Sequence, residues 1–332
     1  LSANEDRSFF VTYLPMQPST RRSFLRSWFG GGALAAAGTA LIGPARAKAS
    51  PVEHRPLPGT WKEDELTVAW IGHSTVLINF HGVKILTDPI LFDRIGLNFF
   101  GGTIGPARIT EPALSPDDIP TPDIVLLSHA HMDHMDVPSL EFLTKRSPGT
   151  IDCITAHRTS DVIEHLPWKS IQEMDWTAKH TLRGIRFDAL PVKHFGWRYP
   201  WEQDRSKGQG KSGRSYNAYL LRANGKRLVF GGDTAYTESF RTLAQLDGID
   251  VAIMPVGAYQ PWHSVHCTPE EAVDMANMMK ARHFLPIHCM TFRQGTETFQ
   301  APVKRLFQAI KDSPTDMKLG YAFIGQTFVM KG

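Results

Sequence analysis

The sequence predicts a mixed α/β fold, and two observations carry that expectation. Short apolar runs of four to six residues alternate with helix-like stretches. Histidines or aspartates stand just past the ends of at least four of those runs, a placement that a random scatter of 14 histidines would not favour. With 332 residues, 42% of them hydrophobic and 10% aromatic, the chain can bury a sizeable core.

The elements follow in order. Residues 50–65, rich in proline and charge, read as an extended lead-in. Residues 66–71 read as a strand, and residues 76–80 and 83–86 follow as a hairpin around His81-Gly82, ending in Thr87-Asp88-Pro89. The apolar run 124–127 delivers His129-Ala130-His131-Met132-Asp133-His134-Met135-Asp136, the last of which reads as the cap of a following helix. Residues 185–192 alternate and end at His194; residues 227–230 end in Gly231-Gly232-Asp233; residues 251–254 lead to Pro255-Val256-Gly257-Ala258-Tyr259. Thr268-Pro269-Glu270-Glu271 has a capping threonine, proline at the first helical position and glutamate three residues after the cap, predicting a helix through about Lys280. Residues 284–287 end in His288, and residues 50–332 read as one domain without internal repeats. The odd, widely spaced Cys153, Cys267 and Cys289 give no disulfide framework and read chiefly as small buried hydrophobes.

Three imidazoles and two carboxylates within eight residues would repel or stay unsatisfied without a cation. His129 and His131, two residues apart on a loop, can converge on one cation, while Asp133 and His134 can turn toward a second. His194 and His288 would come in from distant segments. Asp233, after two glycines that permit an unusual backbone path, could bridge both cations through its two oxygens. Ligands of nitrogen and oxygen point to two Zn2+, with iron or manganese also compatible. Two metals ~3.5–4 Å apart supply hydroxide near pH 7 and stabilise charge on a carbonyl or phosphoryl oxygen.

Charge divides the chain. Residues 1–49 hold six of the 36 basic and two of the 33 acidic residues, leaving 30 and 31 from Ser50 onward. The net +3 therefore belongs to the leader, and the body has no electrostatic footprint for nucleic acid. Thr20-Arg21-Arg22-Ser23-Phe24-Leu25-Arg26 precedes 19 uncharged, Gly- and Ala-rich residues (27–45) and the A-x-A site Ala47-Lys48-Ala49. This pattern resembles a twin-arginine export signal. It predicts passage through the twin-arginine translocase to the periplasm, or membrane tethering if the signal stays uncleaved. The unusual stretch 1–15 predicts that translation starts at Met16.

The His129-x-His131-x-Asp133-His134 cluster, the later His194, the turn Gly231-Gly232-Asp233-Thr234 and the closing Ile287-His288 resemble the metallo-β-lactamase superfamily in order and approximate spacing. The resemblance implies a four-layer αββα sandwich with a dinuclear metal site at one edge of the sheets. It implies that His129, His131 and His194 hold one metal, that Asp133, His134 and His288 hold the other, that Asp233 bridges, and that Asp88 orients ligands from behind. Aspartate rather than cysteine at position 233 departs from true β-lactamases.

A closer likeness runs from about residue 67 to 308. Trp70-Ile71-Gly72-His73-Ser74-Thr75-Val76, Phe230-Gly231-Gly232-Asp233-Thr234, Pro255-Val256-Gly257-Ala258-Tyr259 and His266-x-x-Pro269-Glu270-Glu271-Ala272 are similar to the N-acyl-phosphatidylethanolamine-hydrolysing phospholipases D and their bacterial relatives. That implies a zinc-dependent phosphodiesterase acting on a small-molecule or lipid substrate, with peripheral membrane contact. It also implies a position near the reacting atoms for His266, so Asp133 and His266 are expected to be catalytic. His73 is expected behind the ligands, Tyr259 and Arg198 at the substrate, and His263 on the loop surface. The loop 195–214, longer than in the lipid enzymes, carries Arg198, Arg205, Lys207, Lys211 and Arg214 against Glu202 and Asp204, a composition suited to an anionic substrate or to plain solvation. Residues 90–92 and 97–100 read as core or pocket wall, with lipid contact as the alternative. Lactones and other carboxylic esters suit the same site, as does a non-enzymatic metal-binding role. A di-iron oxidoreductase of this fold would usually carry glutamate where His131 stands.

Overall fold

The computed structural model describes residues 49–99, 102–203, 205 and 212–331. The leader through Lys48, including Met16 and the twin-arginine pattern, lies outside the described residues, as do Asp204, Lys207 and Lys211.

Chain order gives β1 (Leu66–Gly72), β2 (Thr75–Phe80), β3 (Val83–Thr87), β4 (Leu97–Phe99) and β5 (Gly102–Ile104). Next come β6 (Ile124–Leu126), helix α1 (Val137–Arg146), β7 (Asp152–Ala156), β8 (Ser170–Met174), β9 (Lys179–Leu182) and β10 (Ile185–Pro191). Then follow β11 (Asn217–Ala223), β12 (Lys226–Phe230), β13 (Ile249–Pro255), α2 (Pro269–Met278), β14 (Ala281–Ile287), α3 (Ala301–Lys311), β15 (Lys318–Leu319) and β16 (Thr327–Met330). Two seven-stranded sheets result, ordered β16-β1-β2-β3-β6-β7-β8 and β15-β14-β13-β12-β11-β10-β9, with β4 and β5 a separate hairpin.

Period-two alternation builds the layers. Val68 and Trp70 of β1 and Val76 and Ile78 of β2 share a core with Phe187, Tyr219, Phe230 and Ile253 of the second sheet. Their neighbours Ala69, Ile71 and Leu77 face the other way and pack with Leu140 and Leu143 of α1. On the far side of the second sheet, α2 packs on β13 and β14, and α3 on α2. The expected αββα sandwich is thus the observed one. Each fully buried side chain of this size contributes roughly 1.5–3 kcal/mol, which is why so many such residues can hold two sheets together.

Local signals act as expected at several joints. β2 and β3 pair Phe80 with Val83 across His81 and Gly82, both at positive φ, as a two-residue hairpin requires. The Asp136 side chain caps α1 by accepting from the Ser139 amide at 3.1 Å. Thr268 and Glu271 complete a reciprocal capping box on α2. That helix stops at Met278 rather than Lys280, because Lys280 takes a left-handed φ of 54° as the chain turns into β14. Cys153, Cys267 and Cys289 are buried and free. Among the described residues no helix is long and apolar enough to cross a membrane.

Strand direction decides where the chemistry lies. β3 and β6 are parallel, while β10 and β12, each antiparallel to β11, run the same way as β13 and β14. Asp88, the octapeptide, His194, Asp233 and His288 therefore all follow the carboxyl ends of strands, and the two sheets bring those ends to one rim.

Candidate metal centre

The octapeptide loop folds back on itself, with the His134 and Met135 amides donating to the His131 carbonyl at 3.0 and 2.8 Å. Arg198 Nη1 donates to the carbonyls of Ala130 and Met135 at 2.7 and 3.0 Å, clamping the loop from outside. From the second sheet, the Asn217 amide donates to the Ser128 carbonyl at 2.9 Å and the Tyr219 hydroxyl to the Leu127 carbonyl at 3.0 Å. Gly232, at φ 55°, lies so close that a Cβ there would come within 2.7 Å of Ser128 Cβ. That contact is the physical reason for the Gly-Gly-Asp turn, which presents Asp233 to the loop.

The candidate ligands fall into groups whose donor atoms lie within 4.8 Å of one another: His129, His131 and His194; His73, Asp133, His134 and His288; and two groups that include Asp233. His129 Nε2 and His194 Nε2 stand 2.8 and 3.2 Å from His131 Nδ1. Asp133 Oδ2 is 3.4 Å from both His134 Nε2 and His288 Nε2. Asp233 Oδ2 lies between the groups, 3.1 Å from His134 Nε2, 3.2 Å from His288 Nε2 and 3.8 Å from His194 Nε2.

Outer partners fix which nitrogen points inward. His134 Nδ1 meets Asp88 Oδ2 at 2.6 Å, and Asp88 also accepts from the Ser128 amide and hydroxyl at 2.7 and 2.6 Å. His194 Nδ1 faces the Val265 carbonyl at 2.8 Å, and His129 Nδ1 faces Ser128 Oγ at 2.9 Å. Such contacts leave the opposite ring nitrogen free to present a lone pair.

Burial acts on every histidine here by favouring the neutral ring. It depresses His129, His131 and His194, and lowers His73 and His266 to about 3. At His134 burial is outweighed by Asp233, Asp133 and Asp88, which together hold the ring well above its ordinary value. His288 likewise rises to about 9 against burial, through Asp233 and Asp133. Burial would raise Asp133 and Asp233, but His134 and the rings around them keep both well below the usual carboxylate range. At Asp88 burial prevails and the pKa goes up. The carboxylates of Asp133 and Asp233 thus favour positive charge at His134 and His288, a demand that divalent cations could meet instead.

The donor set fits such cations. Asp233 Oδ1 is buried without a hydrogen-bond partner, an arrangement costly in protein alone and one that a cation would relieve. Imidazoles and carboxylates are ligands for zinc, iron or manganese.

Other expected residues are placed as follows. His73 is buried, with Nε2 3.2 Å from Asp133 Oδ2. His266 lines the pocket over the centre, Nδ1 3.8 Å from Asp233 Oδ2, together with His131, Asp133, Phe195, Trp262 and Gln294. His263 is exposed and 2.9 Å from both Glu271 oxygens. Arg198, read from sequence as a substrate contact, is buried with its Nη1 on loop carbonyls, so it braces the octapeptide instead. Tyr259 lies beneath the Arg305 guanidinium, 4.7 Å from the ring centroid, and the pocket wall is made by Ala258, whose left-handed backbone turns its neighbour aside. Arg214 pairs with Asp161 and Glu202, and Arg205 with Asp175 at 2.5 Å, so these loop cations are committed to the protein. Sequence reasoning missed Ser128, Gln294, Phe195 and Trp262. Ser128 and Phe195, each next to a candidate ligand in sequence, had a local signal; Gln294 and Trp262 had none.

Residues 84–289 match the family model described as a beta-lactamase superfamily domain. An uncharacterized protein of Mycobacterium tuberculosis is 31% identical over 263 residues, 76% of this chain, and the chain spans 66% of that relative's length. N-acyl-phosphatidylethanolamine-hydrolyzing phospholipase D 1 of Caenorhabditis elegans is 28% identical over 273 residues, covering 77% of this chain and 72% of the nematode protein. Among solved structures, a possible metal-dependent hydrolase from Veillonella parvula aligns with a TM-score of 0.61 at 16% identity, over 80% of this chain and 99% of that one, a likeness of fold.

Proposed function

The chain belongs to the β-lactamase superfamily, whose relatives include metal-dependent hydrolases, and from that premise we propose that it is an exported, dinuclear zinc hydrolase of phosphodiesters. The observation that carries this reading is the position of Asp233, which touches both groups of buried imidazole and carboxylate donors. His129, His131 and His194 would hold one metal and Asp133, His134 and His288 the other, with Asp233 shared. When bound, the metals supply Lewis acidity and hydroxide near neutral pH.

The chain's own residues do the rest. Asp88 and the Val265 carbonyl orient His134 and His194. Phe195, Trp262 and Val265 wall the pocket and limit water at the reacting atoms. His266, neutral at its lowered pKa, has a ring at the pocket wall suited to orienting a substrate oxygen or the leaving group. Lipid phosphodiesters are the favoured class, supported by similarity to the nematode phospholipase D. Export rests on the twin-arginine pattern around Arg21 and Arg22.

Purified protein loaded with zinc and offered bis(p-nitrophenyl) phosphate, N-acyl-phosphatidylethanolamine and lactones should cleave the phosphodiesters and contain two metals per chain. Activity confined to lactones would overturn the phosphodiesterase reading. Fractionation of a bacterial host should find the full chain's product in the periplasm, and an Arg21→Lys/Arg22→Lys variant retained in the cytoplasm.

A further inference from the structure

We propose that Gln294 is the positioning residue for Asp133, fixing how that carboxylate is presented to one of the two metals; this rests on the dinuclear reading above. Gln294 Nε2 donates to Asp133 Oδ2 at 2.6 Å. The same oxygen has three imidazole nitrogens around it, His73 at 3.2 Å and His134 and His288 at 3.4 Å. A carboxylate oxygen offers about two lone-pair sites, so it cannot serve four donors. The Gln294 amide nitrogen is the nearest of the four and can only donate, so with a cation bound the ring nitrogens would be free to ligate it rather than to pair with Asp133.

Gln294 is itself held at both ends. Its backbone carbonyl accepts from Trp262 Nε1 at 3.3 Å. On its far side the Thr296 amide donates to the Gln260 carbonyl at 2.7 Å, and the Glu297 carboxylate accepts from the Ala258 amide at 2.6 Å. These contacts tie residues 294–297 to residues 258–262, the stretch that leads into His266. Gln294 is therefore a strut running from the pocket wall to the octapeptide loop. Arg198 steadies that loop's backbone, while Gln294 steadies the side chain that would meet metal.

Two variants test the role. Gln294→Met keeps the length and removes the donor; Gln294→Asn keeps the amide but withdraws it by one methylene. Zinc affinity would be measured by chelator competition and ligand geometry by Co2+ absorption, with circular dichroism of the metal-free proteins as the folding check. The expected result is two metals in the wild type, with one of them weakened roughly 10–100-fold in each variant, an altered Co2+ spectrum, and a fall in kcat that excess zinc reverses. If the Met variant does not fold, the Asn variant carries the same expectation. Variants that bind both metals as tightly as the wild type while losing activity would overturn the proposal and make Gln294 a substrate contact. A wild type that takes up one metal only would instead bring down the dinuclear reading, and the proposal with it.

Discussion

The two sheets contribute to the metal centre in opposite ways. The first supplies His129, His131, Asp133 and His134 from one loop after β6, organised by its own turn and by Asp88 and Ser128 close at hand. The second supplies His194, Asp233 and His288 from three loops after β10, β12 and β14. The first half is local in sequence, a loop folded on its own turn and braced by Arg198, Asn217 and Tyr219. The second half exists only once three strands have found their register, so it depends on the whole sandwich. A cation linking the two halves therefore reports on tertiary assembly as well as on ligand identity.

Removing Asp233, the carboxylate that lies between the two donor groups, should have the largest effect. Asp233→Ala is expected to lower both metal occupancies and to reduce turnover by on the order of 10²–10³-fold, with the fold kept; elemental analysis beside circular dichroism checks this. If one metal remained fully bound, the two halves would be more independent than Asp233's contacts indicate. A weaker break is Asp88→Asn, which leaves every ligand in place but takes the charge from behind His134. It should cost roughly 10–100-fold in metal affinity, measured by chelator competition, and spare the group of His129, His131 and His194.

Acidity sharpens the comparison further. His288 is raised to about 9 and His134 lies well above its ordinary value, whereas burial keeps His129 and His131 neutral. Below pH 9 a metal meeting His288 must displace a proton, so apparent affinity in that group should rise with pH by up to about tenfold per unit for each proton released. Calorimetry in buffers of different ionisation enthalpy counts those protons; a titration releasing none would contradict the charge pattern described. The smallest effects should come from the caps. Asp136→Ala and Thr268→Ala each remove a helix N-cap and should cost about 1 kcal/mol, seen as a lower Tm with metal stoichiometry unchanged.

The same contrast explains how much was legible in sequence. The octapeptide, the helix cap at Asp136 and the capping box at Thr268 rest on patterns confined to a few neighbouring residues; local patterns gave only a mixed α/β fold, and the αββα sandwich came from the family resemblance. The distant candidates His194, Asp233 and His288 could be singled out because each follows an apolar run, and the structure gathers them at one rim. Gln294 follows no such signal, since its role comes from Trp262 and Asp133 meeting it in space. Arg198 looked like a cation available to substrate because burial and its carbonyl partners are tertiary facts. β11 went unread because no chemical side chain marks its end, and β16 because its place beside β1 is a long-range pairing.

The hydrogen bond from the Asn217 amide to the Ser128 carbonyl has a consequence on a different axis, time. It crosses from one sheet to the first residues of the chelating loop, alongside the Tyr219 hydroxyl on Leu127. Exchange of that single amide proton with solvent requires the rim to part, so its rate is a clock for the breathing of the sandwich. Metal that bridges the sheets should slow the clock, and chelation should set it running faster, while amides inside β1 and β2 keep their pace.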